Sequence, residues 1–140
     1  MNWLVGTMAH MTPESANGGL AGALRGLAIG RIVLGVVSLA APNVLAKASR
    51  VSVTPELVYM TRIFGARAVA LGLGYLTSPT SEQFRWQRLA LMVDVTDTVH
   101  GTAHLIRGDI PRVSAAALVV LTGGYMSVGA TRLAKDLARV

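Results

Sequence analysis

Residues 113–131, VSAAALVVLTGGYMSVGAT, decide how the rest of the chain is read. No formal charge occurs among them, and Arg112 and Arg132 bracket the run. A helix rises 1.5 Å per residue, so roughly twenty apolar residues match a hydrocarbon core about 30 Å thick. Pro111 suits the first turn, where its missing N–H costs nothing, with Asp109 or Ile110 as the cap. The stretch therefore reads as a membrane-spanning helix over 112–131.

Composition points the same way. The 140 residues are 52% hydrophobic and 14% charged, with a mean hydropathy of +0.52. A typical soluble domain is about 25% charged, and one this small has much surface to keep wet. The length allows one compact unit. There is no cysteine, which excludes disulfides, thiolate zinc sites, iron–sulfur clusters and thiol nucleophiles. The net charge is +6, but the basic residues are scattered singly and mostly flank apolar runs. That placement fits anchoring to anionic lipid head groups and not nucleic-acid binding.

Three further spans lie upstream. The third covers 86–106, with Gly108 as its stop. Residues 107–112 join it to the last span, a link short enough for a tight antiparallel hairpin. The second covers 56–77, opening with Thr54 as N-cap, Pro55 in the first turn and Glu56 near the positive helix end. The first covers 24–46 and is kinked or ended by Pro42. The expected fold is an all-α integral membrane four-helix bundle within residues 21–140. Residues 1–20 contain no Lys or Arg and are not expected to be a cleavable signal peptide. They are read as a tail or as an interfacial helix with Trp3, Leu4, Met8 and Met11 on one face. Arg25, Arg85, Arg88, Arg132, Lys135 and Arg139 fall on one side of the membrane, and Lys47, Arg50, Arg107 and Arg112 on the other. The larger set places both termini in the cytoplasm. Small residues at four-residue intervals, Gly22/Gly26/Gly30 and Ala66/Ala70/Gly74, predict surfaces of close helix approach.

The third span is the least apolar and carries Asp94, Asp97, His100 and His104. One mid-membrane Asp costs roughly 2.5–3.5 kcal/mol on insertion scales, so this helix needs partners. At 3.6 residues per turn, Asp94, Asp97, His100, Gly101 and His104 share a sector about a third of the circumference wide. That stripe is expected to face away from lipid. In an antiparallel arrangement Arg31 lies at the depth of Asp94, and Arg67 at that of Asp97. Two intramembrane ion pairs follow, because an unpaired buried charge is far worse than a shared one. Arg62, nearer the outer face, is placed to reach His104, Glu56 or head groups.

Two readings of this network stay open. In one, neutralised charges fix helix register and do no chemistry. In the other, they form a site: a proton relay, a pocket for a quinone or lipid head group, or a divalent-cation site on Asp94, Asp97, His100 and His104. Intramembrane ionisable groups are functional candidates by default. Arg31 and Arg67 compete for the carboxylates, so no metal or other cofactor is assigned. No G-x-S-x-G, P-loop, G-x-G-x-x-G or H-E-x-x-H motif occurs, and Ser38, Ser114 and Ser127 have no histidine nearby in sequence. Tyr59, Tyr75, Phe84 and Trp86 sit near span ends, as interfacial aromatics do. The leading expectation is a non-enzymatic accessory or self-associating subunit of a membrane assembly, with lipids and other membrane chains as partners. The alternative is a small carrier or redox helper using the Asp/His stripe.

The segments Arg31-Ile32-Val33-Leu34-Gly35, Pro42, Gly65-Ala66-Arg67-Ala68-Val69-Ala70-Leu71-Gly72 and Asp94…Asp97 occur in that order. Over roughly residues 24–130 the pattern resembles small four-helix bacterial membrane proteins of the DoxX-like kind and neighbouring families. The resemblance implies a multi-pass protein of the bacterial inner membrane with Arg31, Arg67, Asp94 and Asp97 as its characteristic polar positions. Some such proteins are linked to quinone-dependent oxidoreductases or serve as accessory subunits, and no catalytic role is carried over.

Overall fold

Proline and capping chemistry set most of the helix ends. The computed structural model describes residues 13–138, so the Trp3, Leu4, Met8 and Met11 face lies outside the described residues. The described chain is all-helical, with α1 (Pro13–Ala40), α2 (Pro42–Ala48), α3 (Pro55–Thr77), α4 (Gln83–Arg107) and α5 (Arg112–Leu137). Ala41, at φ −136° and ψ 53°, leaves the helical region, and Pro42 starts α2 as a separate short helix. The Thr54 hydroxyl accepts from the Leu57 N–H at 3.2 Å, as its N-cap role requires. Gly108 ends α4 at φ 69°, a conformation L side chains rarely adopt, and its N–H donates to the His104 carbonyl.

Several boundaries differ from the sequence expectation. α1 begins at Pro13 and not near residue 24, so residues 13–20 continue into the first long helix. α5 runs on past 131 to Leu137, its last turns held by an Arg132–Asp136 pair at 2.9 Å. Pro111 is itself the N-cap of α5, and its carbonyl accepts from Ser114 and Ala115. Asp109 does not cap this helix, because its carboxylate is engaged by His104. Three helices are long and apolar enough to cross a membrane: α1 over Gly18–Ala40, α3 and α5. Expected as the third span, α4 has the length but not the composition, since Arg85, Arg88, Asp94, Asp97 and Arg107 lie along it.

Helices α1 and α3 pack antiparallel at very close range. A Cβ on Gly35 would lie 2.7 Å from the Gly65 carbonyl oxygen, and one on Gly72 would lie 2.6 Å from the Ala28 carbonyl oxygen. Gly35/Gly65 and Ala28/Gly72 are thus two contact points, two turns apart on each helix. This corrects the small-residue expectation. Gly22 and Gly26 touch nothing, Gly30 meets only the Tyr125 side chain, and Gly74 lies against Trp86 of α4. Ala66 and Ala70 are exposed. Recurrent small residues make close approach available, but 100° of rotation per residue decides which of them faces a neighbour.

In the second pair, α4 and α5, Gly129 lies against Leu91 and Gly101 against Val119, and the Thr98 hydroxyl donates to that of Thr122 at 2.9 Å. The Ser114 hydroxyl donates to the Ser49 carbonyl, tying the start of α5 to the end of α2. The seams within each pair are long and the seam between the pairs is short. The buried apolar side chains, Leu24, Ala28, Ala46, Ala68, Leu71 and Ala115, are mostly small, whereas Val33, Val120 and Ile106 are exposed. The apolar surface of this chain lies mainly on its outside.

Candidate functional site

The polar residues of α4 lie where the two helix pairs meet. Arg31, well inside α1, donates from Nη2 to Asp94 Oδ2 at 2.5 Å. Their side chains are only 11% and 4% exposed. Among the described residues the α1 and α4 backbones do not approach each other, so the long Arg31 side chain crosses the interior to reach its acid. Its guanidinium also sits 4.7 Å from the Tyr125 ring centroid on α5, a distance at which the negative ring face attracts a cation. One side chain therefore links α1, α4 and α5.

Arg67 of α3 donates from Nη2 to Asp97 Oδ2 at 2.8 Å and lies 5.5 Å from the Phe64 ring. Both ion pairs inferred from depth are thus formed. They differ in setting: Arg67 is 42% and Asp97 26% exposed, on the groove between α3 and α4. Three residues along a helix turn a side chain by about 60°, enough to carry the stripe from the interior at Asp94 to the groove at Asp97.

The rest of the stripe is not buried, which corrects the expectation of a network wholly turned inward. His100 is exposed and its Nδ1 donates to the Thr96 carbonyl at 2.8 Å. His104 Nδ1 donates to Asp109 Oδ1 at 2.8 Å, on the loop beyond α4. That bond, the largest influence on it, holds the Asp109 carboxyl below the ordinary aspartate range, against a smaller opposing effect of desolvation. Arg62 does not reach His104 or Glu56: both Arg62 and Glu56 are exposed and neither joins the ion pairs formed among the described residues. The four residues of the divalent-cation alternative are not brought together. Each carboxylate is held by an arginine, the two histidines are turned elsewhere, and the described residues contain no group of three or more His, Cys, Asp or Glu able to hold a metal ion.

Two clefts flank the Arg31–Asp94–Tyr125 contact. One is lined by Leu24, Ala28, Trp86 and Gln87, the other by Phe64, Arg67, Asp97 and Thr122. Each measures about 30 Å³, room for about two water molecules. The second cleft reaches Asp97, so the network is not sealed, and both clefts are water-sized. Among the described residues no buried side-chain nitrogen or oxygen lacks a hydrogen-bond partner.

Sequence reasoning missed Tyr125 and the Thr98–Thr122 bond. A lone tyrosine in the middle of an otherwise aromatic-free, uncharged span was the available signal for the first. The second needed the α4/α5 register, which spacing alone does not supply. In comparisons with known proteins, no family model, no curated protein and no solved structure matches this chain.

Proposed function

We propose that this chain is a small multi-pass membrane protein in which α1, α3, α4 and α5 are four spans and the arginine–aspartate pairs act as structural fasteners. The observation that carries the reading is the matched depth of Arg31 with Asp94 and Arg67 with Asp97. These pairs neutralise the helix that is too polar to enter hydrocarbon alone. A thin core of small residues under an apolar exterior also suits a lipid solvent, where close packing and not apolar burial joins helices. The role is that of a non-enzymatic accessory or self-associating subunit of the bacterial inner membrane, termini cytoplasmic, and the DoxX-like resemblance is consistent with it. A second reading, a proton carrier, draws support from the two water-sized clefts beside Asp94 and Asp97; their size argues against quinone.

Topology mapping tests the four-span proposal directly. The chain has no cysteine, so single cysteines at Ser81 and Ile110, flanking α4, report sidedness without background. If α4 spans, an impermeant maleimide labels the two positions from opposite sides of the membrane. Labelling of both from one side would leave α4 outside the bilayer and sink the proposal.

A further inference from the structure

We infer that the α3/α4 groove around Arg67 and Asp97 is the contact surface for a second copy of this chain, related by a two-fold axis along the membrane normal. The inference rests on the four-span reading. Arg67 stands twelve residues from Pro55 and ten from Thr77 in α3, about 18 and 15 Å along the axis. That puts the Arg67–Asp97 pair close to the midplane, about 15 Å from either hydrocarbon boundary. Lipid head groups do not reach that depth. Yet the pair is 42% and 26% exposed on the single chain, unlike Arg31–Asp94. Hydrocarbon is a poor cover for two partly exposed charges.

A second copy supplies the cover by symmetry. Every copy inserts with the same orientation, so a closed pair has its two-fold axis along the normal and uses the same patch twice. A rotation about that axis preserves depth. Arg67 and Asp97 reach each other from the two helices that flank the groove, α3 and α4, so the pair runs across it, largely in the membrane plane. The rotation therefore sets Arg67 of each copy opposite Asp97 of the other, giving an alternating square of four charges. The patch is neutral in sum and self-complementary, which argues against a net-charged ligand and for its own image.

The surrounding surface permits the approach. Ile63, Ala66, Arg67 and Ala70 fall on one side of α3 at helical spacing and all are exposed. Ala66 and Ala70 are among the small residues that the α1/α3 contact leaves unused, and small residues let a second helix come close. Across the groove, α4 offers exposed His100 and Thr96.

The test is cross-linking and rescue in trans in native membranes. One tagged chain carries Ile63→Cys and a second, differently tagged, carries His100→Cys; a short bis-maleimide should join the two tags. The same pairing between Val33→Cys and Val120→Cys, on exposed faces of α1 and α5, should give none. Onto the first cysteine chain Arg67→Glu is then added, and onto the second Asp97→Arg. Each charge variant expressed with its unaltered counterpart should lose the cross-link, and the two variants together should regain it, because each supplies the charge the other lacks. A cross-link absent from the unaltered groove, equal on all faces, or not regained by the two variants together would overturn the dimer. An alkaline carbonate wash separates the failures: a chain that washes off the membrane refutes the membrane reading, whereas one that stays and does not cross-link refutes only the dimer.

Discussion

Substituting Asp94→Asn removes the negative half of the least exposed ion pair and leaves Arg31 in place. Arg31 is 11% exposed and reaches its acid across the bundle interior, so bulk water cannot replace the lost partner. Breaking a buried pair from one side typically costs 3–5 kcal/mol, about two to four powers of ten in the folding equilibrium. The Tyr125 ring at 4.7 Å offsets only a part, since a desolvated cation–π contact contributes about 2 kcal/mol. Asn also keeps a hydrogen-bond acceptor near the guanidinium. The expected net loss is therefore about 3 kcal/mol, at the lower end of that range. The further change Arg31→Gln removes the stranded charge, and the double variant should recover to within about 1–2 kcal/mol of the parent, with the coupling read from a double-mutant cycle. The assay is reversible SDS titration of the purified chain in detergent micelles, followed by far-UV circular dichroism. A loss below about 1 kcal/mol for Asp94→Asn, or a double variant as unstable as the sum of the singles, would refute the fastener role.

Other predictions concern packing and the outer loop. Gly35→Ala should destabilise by about 1–3 kcal/mol in the same titration, because the added methyl meets the rigid Gly65 carbonyl 2.7 Å away and the helices must part. Gly26→Ala, where nothing lies within 4 Å, should be neutral or stabilising by up to about 1 kcal/mol; equal losses at both sites would refute the assigned helix faces. Asp109, whose pKa is lowered by the His104 hydrogen bond, should contribute stability that is present above the unfolded aspartate value, about pH 4, and lost as pH falls through the lower folded value. A carboxyl resonance followed by NMR should therefore titrate below the ordinary aspartate range, and His104→Gln should move it upward. No movement would separate the two groups.

By itself the sequence determined the long helices and most of their stops, because proline, glycine and capping residues act within a turn of chain. Thr54-Pro55 opened α3 and Gly108 closed α4 as read, and Pro42 broke the first helix. Axial position was legible too: a helix rises by a fixed amount per residue, so Arg31 could be matched to Asp94 and Arg67 to Asp97 before any packing was known. Rotation was not. Which small residues of α1 and α3 meet depends on the azimuth of one helix against another, and the contact fell on Gly35, Gly65 and Gly72, leaving Ala66 and Ala70 outside. Only the tertiary structure decided that Asp94 is enclosed while Asp97, three residues on, opens onto a groove, and that Tyr125 completes the Arg31 contact. The physical reason is that a helix sequence fixes the angles between its own side chains but not the direction in which its neighbours lie.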